Sequence, residues 1–274
     1  MLMKGKKGLI IGLANNRSLA YGIAKSCHAQ GATLAFTYLN DRFKGKIAPL
    51  AKDFGSEYLY ELDVSKEEQL EQLAKDLKND LEGIDFVVHS VAYADKEGLV
   101  GRFMNVSKDA FSTSLEISAF SLLSVVKAMH PLMNEGGSFL TLSYLGAQKY
   151  IPNYNLMGVS KAALEATVRY LAVDLGTDKL RINALSAGPI KTLAASGIGD
   201  FSFILKWNKA NAPFQQNVTI DEVGDSAMYL MSDLARGVTG EVHYVDCGYN
   251  IMGMAHVTYD ENDKPELTFL KNQQ

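Results

Sequence analysis

Tyr154 and Lys161 stand seven positions apart in the stretch NYNLMGVSK, which has helical periodicity. Seven positions are nearly two turns, so a phenol and an ammonium share one helix face, their Cα atoms roughly 10 Å apart along the axis. Taken alone, the pair reads equally well as a packed tyrosine and an exposed lysine. Its company gives it weight. Tyr144 closes the run LTLSYLG ten residues upstream, and NALSAGPIKT supplies a proline-containing turn after another apolar run. Three strand ends therefore converge on one crevice, the place where open α/β sheets bind ligands.

A second group of residues suits a dinucleotide. In GLIIGLANNRSLAYGIA, Gly12 and Gly22 flank a turn that puts a helix amino terminus beneath an anion, where N–H groups and the helix dipole favour a pyrophosphate. The spacing departs from G-x-G-x-x-G and is weak by itself. Ser18 either caps that helix or bonds a phosphate oxygen. Asp63, in ELDVS, is placed to accept from an adenine amino group with Val64 against the ring, or else to cap a helix. After the second strand, TYLNDR offers Asp41 for the ribose hydroxyls. VVHSVAYA brings the small Ala92 and Ala94 near bound ligands.

Short apolar runs must position these groups: KGLIIG, ATLAFTY, SEYLYEL, IDFVVHS, GSFLTLS, LRINALS and EVHYVD read as strands. Helical periodicity fills the intervals, at about 19–30, 42–54, 66–81, 108–132, 154–176 and 221–232. The alternation predicts a doubly wound, Rossmann-like α/β fold: a seven-stranded parallel sheet with helices on both faces. Neither linker nor repeat divides it, so 1–274 is expected to be a single dinucleotide-binding and catalytic domain. Residues 192–219 carry too many apolar side chains for a plain connection, among them Leu193, Phe203 and Trp207. Their place at the carboxyl end of the sheet favours a substrate-binding lid over an ordinary packed helix pair.

Composition excludes several classes. A net charge of −4 without a basic stripe argues against nucleic acid or an anionic membrane as partner. Cys27 and Cys247 are isolated, with neither disulfide nor metal spacing, so no metal is expected and both cysteines are assigned to the core. The apolar run 8–14 is short and holds two glycines, unlike a signal peptide, and no run is expected to span a bilayer. These features predict a cytoplasmic protein.

From Gly5 to about Gly253 the chain resembles the bacterial enoyl-[acyl-carrier-protein] reductases, divergent members of the short-chain dehydrogenase superfamily. AYGIA, LTLSYLGA, IPNYN, SKAALEA and TLAASGI carry the resemblance. Its specific element is Tyr-x6-Lys preceded by a second tyrosine; a carbonyl reductase would have Tyr-x3-Lys, a register occupied here by Met157. The resemblance implies NADH as cofactor, acyl-carrier protein as the partner bearing the substrate, and a homotetramer. It assigns Tyr144 and Tyr154 to the substrate, Lys161 to the nicotinamide ribose, and Gly12, Ser18 and Leu19 to the diphosphate. Asp63 and Val64 fall on its adenine contacts, Val91 on a cofactor contact, Ile190, Lys191, Thr192, Leu193 and Ala194 on the segment over the nicotinamide, and Ala94 on a substrate contact. Leu39 stands where many relatives have glutamine, which removes a side-chain bond to the adenosine, and Ala92 where glycine is frequent.

The wider spacing suits a particular reaction. In ketone reduction the donor must sit beside the carbon that receives the hydride. In a conjugated thioester the hydride goes to C3 while charge gathers on the C1 oxygen, so the donor belongs farther along the substrate. A 3-ketoacyl or other carbonyl reductase is the competing enzyme. A dinucleotide-sensing module without turnover is the competing non-enzyme, and it would have no need of both Tyr154 and Lys161.

Overall fold

The computed structural model describes residues 1–267, apart from the side chains of Ala194 and Ser196. Its elements are β1 (Lys7–Ile11), α1 (Leu19–Ala29), β2 (Thr33–Tyr38), α2 (Asp41–Asp53), β3 (Leu59–Glu61), α3 (Glu67–Leu81), β4 (Ile84–His89), α4 (Lys96–Leu99) and α5 (Lys108–Leu115). There follow α6 (Ser121–Met129), β5 (Met133–Ser143), α7 (Asn155–Gly176), β6 (Arg181–Ala187), α8 (Phe201–Asn211), α9 (Ile220–Met231), β7 (Val242–Val245), β8 (Val257–Tyr259) and β9 (Pro265–Leu267).

Strands β1 to β7 form one parallel sheet in the order 3-2-1-4-5-6-7, the doubly wound arrangement the alternation predicts. Strand order reverses between β1 and β4, which opens a crevice at their carboxyl ends. Successive strand residues serve opposite faces. Leu9, Val87 and Phe139 pack under α3, α6 and α7, whereas Ile10, Phe86 and Leu140 pack under α1, α2 and α9. Burial on both faces explains why these strands read as continuous apolar runs.

Where α1 meets α9, a Cβ on Gly22 would overlap the Ile220 carbonyl oxygen, and one on Gly224 the Gly22 carbonyl oxygen. Gly22, expected to flank the anion-binding turn, is therefore a helix-packing residue. Cys27 lies in the core as expected, and burial pushes its thiol up to about 12. Cys247 does not: it is half-buried after β7, with a positive φ of 58°.

Two stretches correct the sequence reading. The single helix expected over 108–132 is interrupted by a π-helical turn, Glu116–Phe120, and ends in a 3-10 turn at His130–Leu132. The 25-residue run Lys108–Leu132 is also apolar and long enough, by composition alone, to cross a membrane, contrary to the expectation that none would be. One face packs Leu122, Val125 and Met129 into the core; the other leaves Phe111, Phe120 and Leu123 exposed. Residues 192–219 contain a 3-10 turn, Ala194–Gly197, and α8. Beyond β7 the antiparallel hairpin of β8 and β9, which the sequence reading missed, closes through backbone N–H groups of Asn262 and Lys264 donating to Asp260 Oδ1.

Candidate active site

Tyr154 is the residue that caps α7 and is not inside it: Asn153 and Asn155 on either side adopt φ of 59° and 34°. Asparagine tolerates this left-handed region better than other side chains do. Both amides are also tethers. Asn153 Nδ2 donates to Gly199 O at 3.0 Å and Asp200 Oδ2 at 3.3 Å; Asn155 Nδ2 donates to Leu99 O at 3.3 Å and Gly101 O at 3.1 Å. Tyr154 is thus fixed between the segment after β4 and the segment before α8.

The rings of Tyr144 and Tyr154 meet edge to face, centroids 4.9 Å apart and planes at 73°. Leu99 and Met157 complete this apolar cluster, with Ala94, Ile151 and Ile198 packed against it. Among the described residues the Tyr154 hydroxyl has no hydrogen-bond partner, which leaves it available to a ligand. Burial, reinforced by neighbouring tyrosines and carboxylates, holds both phenols far above the ordinary tyrosine range, so they stay protonated donors at any working pH.

Gly146 sets the ring's position. A Cβ there would overlap Cδ1 of the Tyr154 ring, and the Gly146 carbonyl oxygen lies 2.8 Å from where a Cβ on Gly158 would stand. Gly146→Ala should displace the phenol and lower kcat about tenfold to a hundredfold, since misplacing a reacting group by about 1 Å costs up to that much. NADH affinity should be unchanged, and steady-state kinetics paired with an NADH titration checks both halves.

Lys161 lies two turns into α7 and is only 6% exposed, its Nζ donating to Leu142 O at 2.7 Å. Burial lowers its pKa from 10.5 to about 8, against the opposing field of Glu165. Across from it His89 ends β4, fully enclosed, with Nε2 2.8 Å from Ser121 Oγ and Nδ1 3.0 Å from Thr141 Oγ1. Because the Ser121 hydroxyl already donates to Ile117 O at 2.6 Å, it must accept from Nε2–H, which leaves Nδ1 as acceptor. Burial, aided by the Lys161 charge, pushes the ring down to about 3, so His89 is a neutral strut.

The expected cofactor residues lie along the carboxyl edge of the sheet. Asp63 and Val64 follow β3, Gly12 to Leu19 follow β1, Val91 follows β4, and Ile190 to Ala194 follow β6. At φ 96° and with no room for a Cβ against the Ser90 carbonyl, position 12 admits only glycine. Ser18 occupies the N-cap position of α1 without capping it; its hydroxyl donates to Asn15 O at 2.7 Å. The N–H groups of Leu19 and Ala20 have no partner among the described residues, and no acidic side chain occupies the first turn. A diphosphate fits that end. Asp63 does not cap α3; its carboxylate accepts from the Ser65 N–H and hydroxyl at 3.1 and 2.7 Å. Asp41 and Leu39 are exposed after β2. Thr192 Oγ1 accepts from Ala195 N at 3.1 Å and so shapes the turn after β6.

Several contributors escaped the sequence reading. Ser118, in the π turn, bonds both the N–H and the carbonyl of Tyr93 at 2.8 Å and so pins the loop carrying Val91 to Ala94. π-turns often occur at such places. Glu165, 3% exposed, accepts from Ser143 Oγ at 2.6 Å and Gln148 Nε2 at 3.1 Å. Its signal was present in the four-residue step from Lys161. The flanking asparagines were visible too, as residues prone to positive φ.

A family model described as enoyl-(acyl carrier protein) reductase matches residues 12–250. The chain is 51% identical over 271 residues to enoyl-[acyl-carrier-protein] reductase [NADH] 1 of Rhizobium meliloti strain 1021, covering 99% of this chain and 98% of that protein. The crystal structure of an enoyl-(acyl-carrier-protein) reductase from Anaplasma phagocytophilum in complex with NAD superposes with a TM-score of 0.89 at 52% identity, covering 93% of this chain and 95% of that one. The Bacillus cereus enzyme, solved with NADP+ and indole naphthyridinone, gives a TM-score of 0.90 at 45% identity, over 92% of this chain and 99% of that one.

Proposed function

The chain belongs to the enoyl-[acyl-carrier-protein] reductase family, and on that premise we propose how its own residues divide the work. It is an NADH-dependent oxidoreductase of fatty-acid biosynthesis that reduces the C2–C3 double bond of trans-2-enoyl thioesters carried on acyl-carrier protein. When bound, NADH would supply a hydride for C3, and a proton from solvent at C2 would complete the reduction. Tyr154 donates a hydrogen bond to the C1 oxygen, where negative charge develops, and a fixed donor aimed at that charge is commonly the largest single contribution to rate. Lys161 holds the nicotinamide ribose through its ammonium donors. Tyr144 buttresses the Tyr154 ring and, with Ala94, walls the acyl pocket. Leu19 and Ala20 offer N–H groups to the diphosphate beside Gly12 and Ser18. Asp63 and Val64 receive the adenine, Val91 lines the nicotinamide side, and Ile190, Lys191, Thr192, Leu193 and Ala194 cover it.

The observation that carries this reading is the protonated phenol of Tyr154, unpartnered among the described residues and packed against Tyr144, two turns from a buried lysine. Its test follows loss of NADH absorbance with a 2-enoyl thioester and then with a 3-ketoacyl thioester. Turnover of the enoyl substrate alone is expected; comparable turnover of both would reject the reading. NADH is expected to exceed NADPH in kcat/KM by about fivefold, because Asp41 opposes a 2′-phosphate at a cost of about 1 kcal/mol. The nearby Lys44 ammonium is engaged 5.3 Å from the Tyr38 ring centroid. Equal kcat/KM with the two cofactors would remove Asp41 from the site.

We read 1–274 as one domain with 192–219 as a lid over the acyl chain. Ile204, Asn208 and Asn211 turn inward on α8, while Phe203 is exposed and stacks on Trp207 at 6.2 Å. Each added methylene buried under the lid contributes about 0.8 kcal/mol, so KM should fall about threefold to fourfold per carbon until the groove is full. A KM independent of chain length would discard the lid. Lys191, Lys206 and Lys209, exposed on or beside this segment, are the docking cations for the acidic carrier protein. Exposed Phe111, Phe120 and Leu123, with Tyr170 and Val173 on α7, favour burial against further copies of the chain in a homotetramer. A cytoplasmic location accords with soluble substrates delivered on a carrier protein.

A further inference from the structure

We propose that Glu165 is a positioning residue: from one buried site it keeps Lys161 an ammonium and clamps the tyrosine-bearing exit of β5 onto α7. This rests on the assignment of Lys161 to the nicotinamide ribose.

The geometry of segment 143–148 comes first. Ser143 ends β5 and Gln148 follows the 3-10 turn Leu145–Ala147, so the residues between them include Tyr144 and Gly146. Each carboxylate oxygen of Glu165 takes a donor from one end of this segment, Oε1 from Ser143 and Oε2 from Gln148. One residue before Ser143, the Leu142 carbonyl accepts from Lys161 Nζ. Lys161 and Glu165, one turn apart on α7, therefore grip consecutive residues of the same strand end. Tyr144 and the Gly146 surface on which Tyr154 rests inherit their positions from that grip.

Charge supplies the second half. Two neutral donors do not fully compensate a carboxylate at this depth, and an enclosed ammonium is costly for the same reason. No ion pair within 4.0 Å joins the two among the described residues, so they interact through space across one helical turn. The histidine and tyrosines around them contribute no charge at neutral pH. His89 on β4 is neutral, Tyr144 and Tyr154 are protonated, and Tyr244 on β7 is likewise shifted up by burial. Asp246, after β7, is committed to the N–H groups of Gly248 and Asn250 at 3.0 and 2.8 Å. Glu165 is the carboxylate whose field offsets part of the burial that depresses Lys161.

The test measures NADH dissociation constants from about pH 6 to about pH 10 for wild type, Glu165→Gln and Glu165→Asp, using quenching of Trp207, the sole tryptophan. Wild-type Kd should be flat at low pH and rise about tenfold per unit above the break at which free Lys161 loses its proton. In Glu165→Gln the break should move down by about one unit, so that Kd at pH 8 is about fivefold weaker while values near pH 6 agree. Glu165→Asp should retain the wild-type break. A wild-type break that Glu165→Gln leaves in place overturns this proposal alone; a flat wild-type profile overturns the ribose assignment with it. Should Glu165→Gln fail to fold, melting of Lys161→Met/Glu165→Gln decides. A double variant that regains cooperative melting supports coupling of the charges, and one as unfolded as Glu165→Gln overturns it.

Discussion

Lys161→Met is expected to weaken NADH binding by more than about a hundredfold and yet to melt no lower than wild type. With Lys161 in its proposed place on the nicotinamide ribose, the affinity loss follows from removing ammonium donors and a positive charge, since hydrogen bonds to charged groups contribute about 1.5–3 kcal/mol each. The stability follows from linkage. The folded-state pKa of Lys161 is depressed from 10.5 to about 8, so folding must either bury a charge or release a proton. That cost is fully present below pH 8, shrinks as pH rises from about 8 toward 10.5, and is absent above. Its size is roughly 3 kcal/mol at neutral pH, offset by the lost bond to Leu142 O at about 1 kcal/mol. Any gain in Tm for the methionine variant should therefore be largest near pH 6 and should vanish near pH 10. Calorimetric NADH titration and thermal melts at the two pH values measure both effects. A variant that melts well below wild type near pH 6 would mean the ammonium is stabilising where it stands, contrary to its burial.

The strands were legible because a parallel sheet covered on both faces forces continuous runs such as GLII and DFVVH, which no amphipathic helix resembles. Helix boundaries at 19, 66 and 176 were legible within a residue or so for similar reasons of periodicity. The interruption at Glu116–Phe120 was not, because a π turn inserts its extra residue without altering the apolar content of the run around it. Ser118 is the consequence: its two bonds to Tyr93 depend on that local geometry and have no signature in SLEISAF. Gly146 was equally hidden, since its importance lies in the ring packed over it and not in its own φ. Gly22 misled in the opposite direction, because a glycine after an apolar turn reads alike whether it faces a phosphate or the Ile220 carbonyl. Tyr144 and Tyr154 could be brought together from the strand ends that accompany them, because strand ends in this topology have one common outlet.

Tyr154→Phe should lower kcat for enoyl reduction by about 10²–10³ and leave NADH affinity within about twofold of wild type, the signature of a donor that acts only on developing charge. The ring keeps its packing on Gly146 and Tyr144, so the variant should fold normally. Its residual activity should retain the alkaline limb near pH 8, because that limb belongs to Lys161; the Tyr154 phenol titrates far higher. Adding Met157→Tyr, which restores the three-residue spacing of carbonyl reductases, should rescue neither enoyl nor ketoacyl reduction. The reason is position: Met157 Sδ lies 4.0 Å from the hydroxyls of Ser114 and Ser118, turned toward α5 and the π turn. A phenol introduced there would press into those serines and meet no substrate oxygen. Stopped-flow NADH oxidation with enoyl and ketoacyl thioesters separates the possibilities. Substantial ketoacyl turnover by the double variant would show that the helix can present either register to the crevice, and that the seven-position step from Tyr154 to Lys161 does not by itself select the reaction.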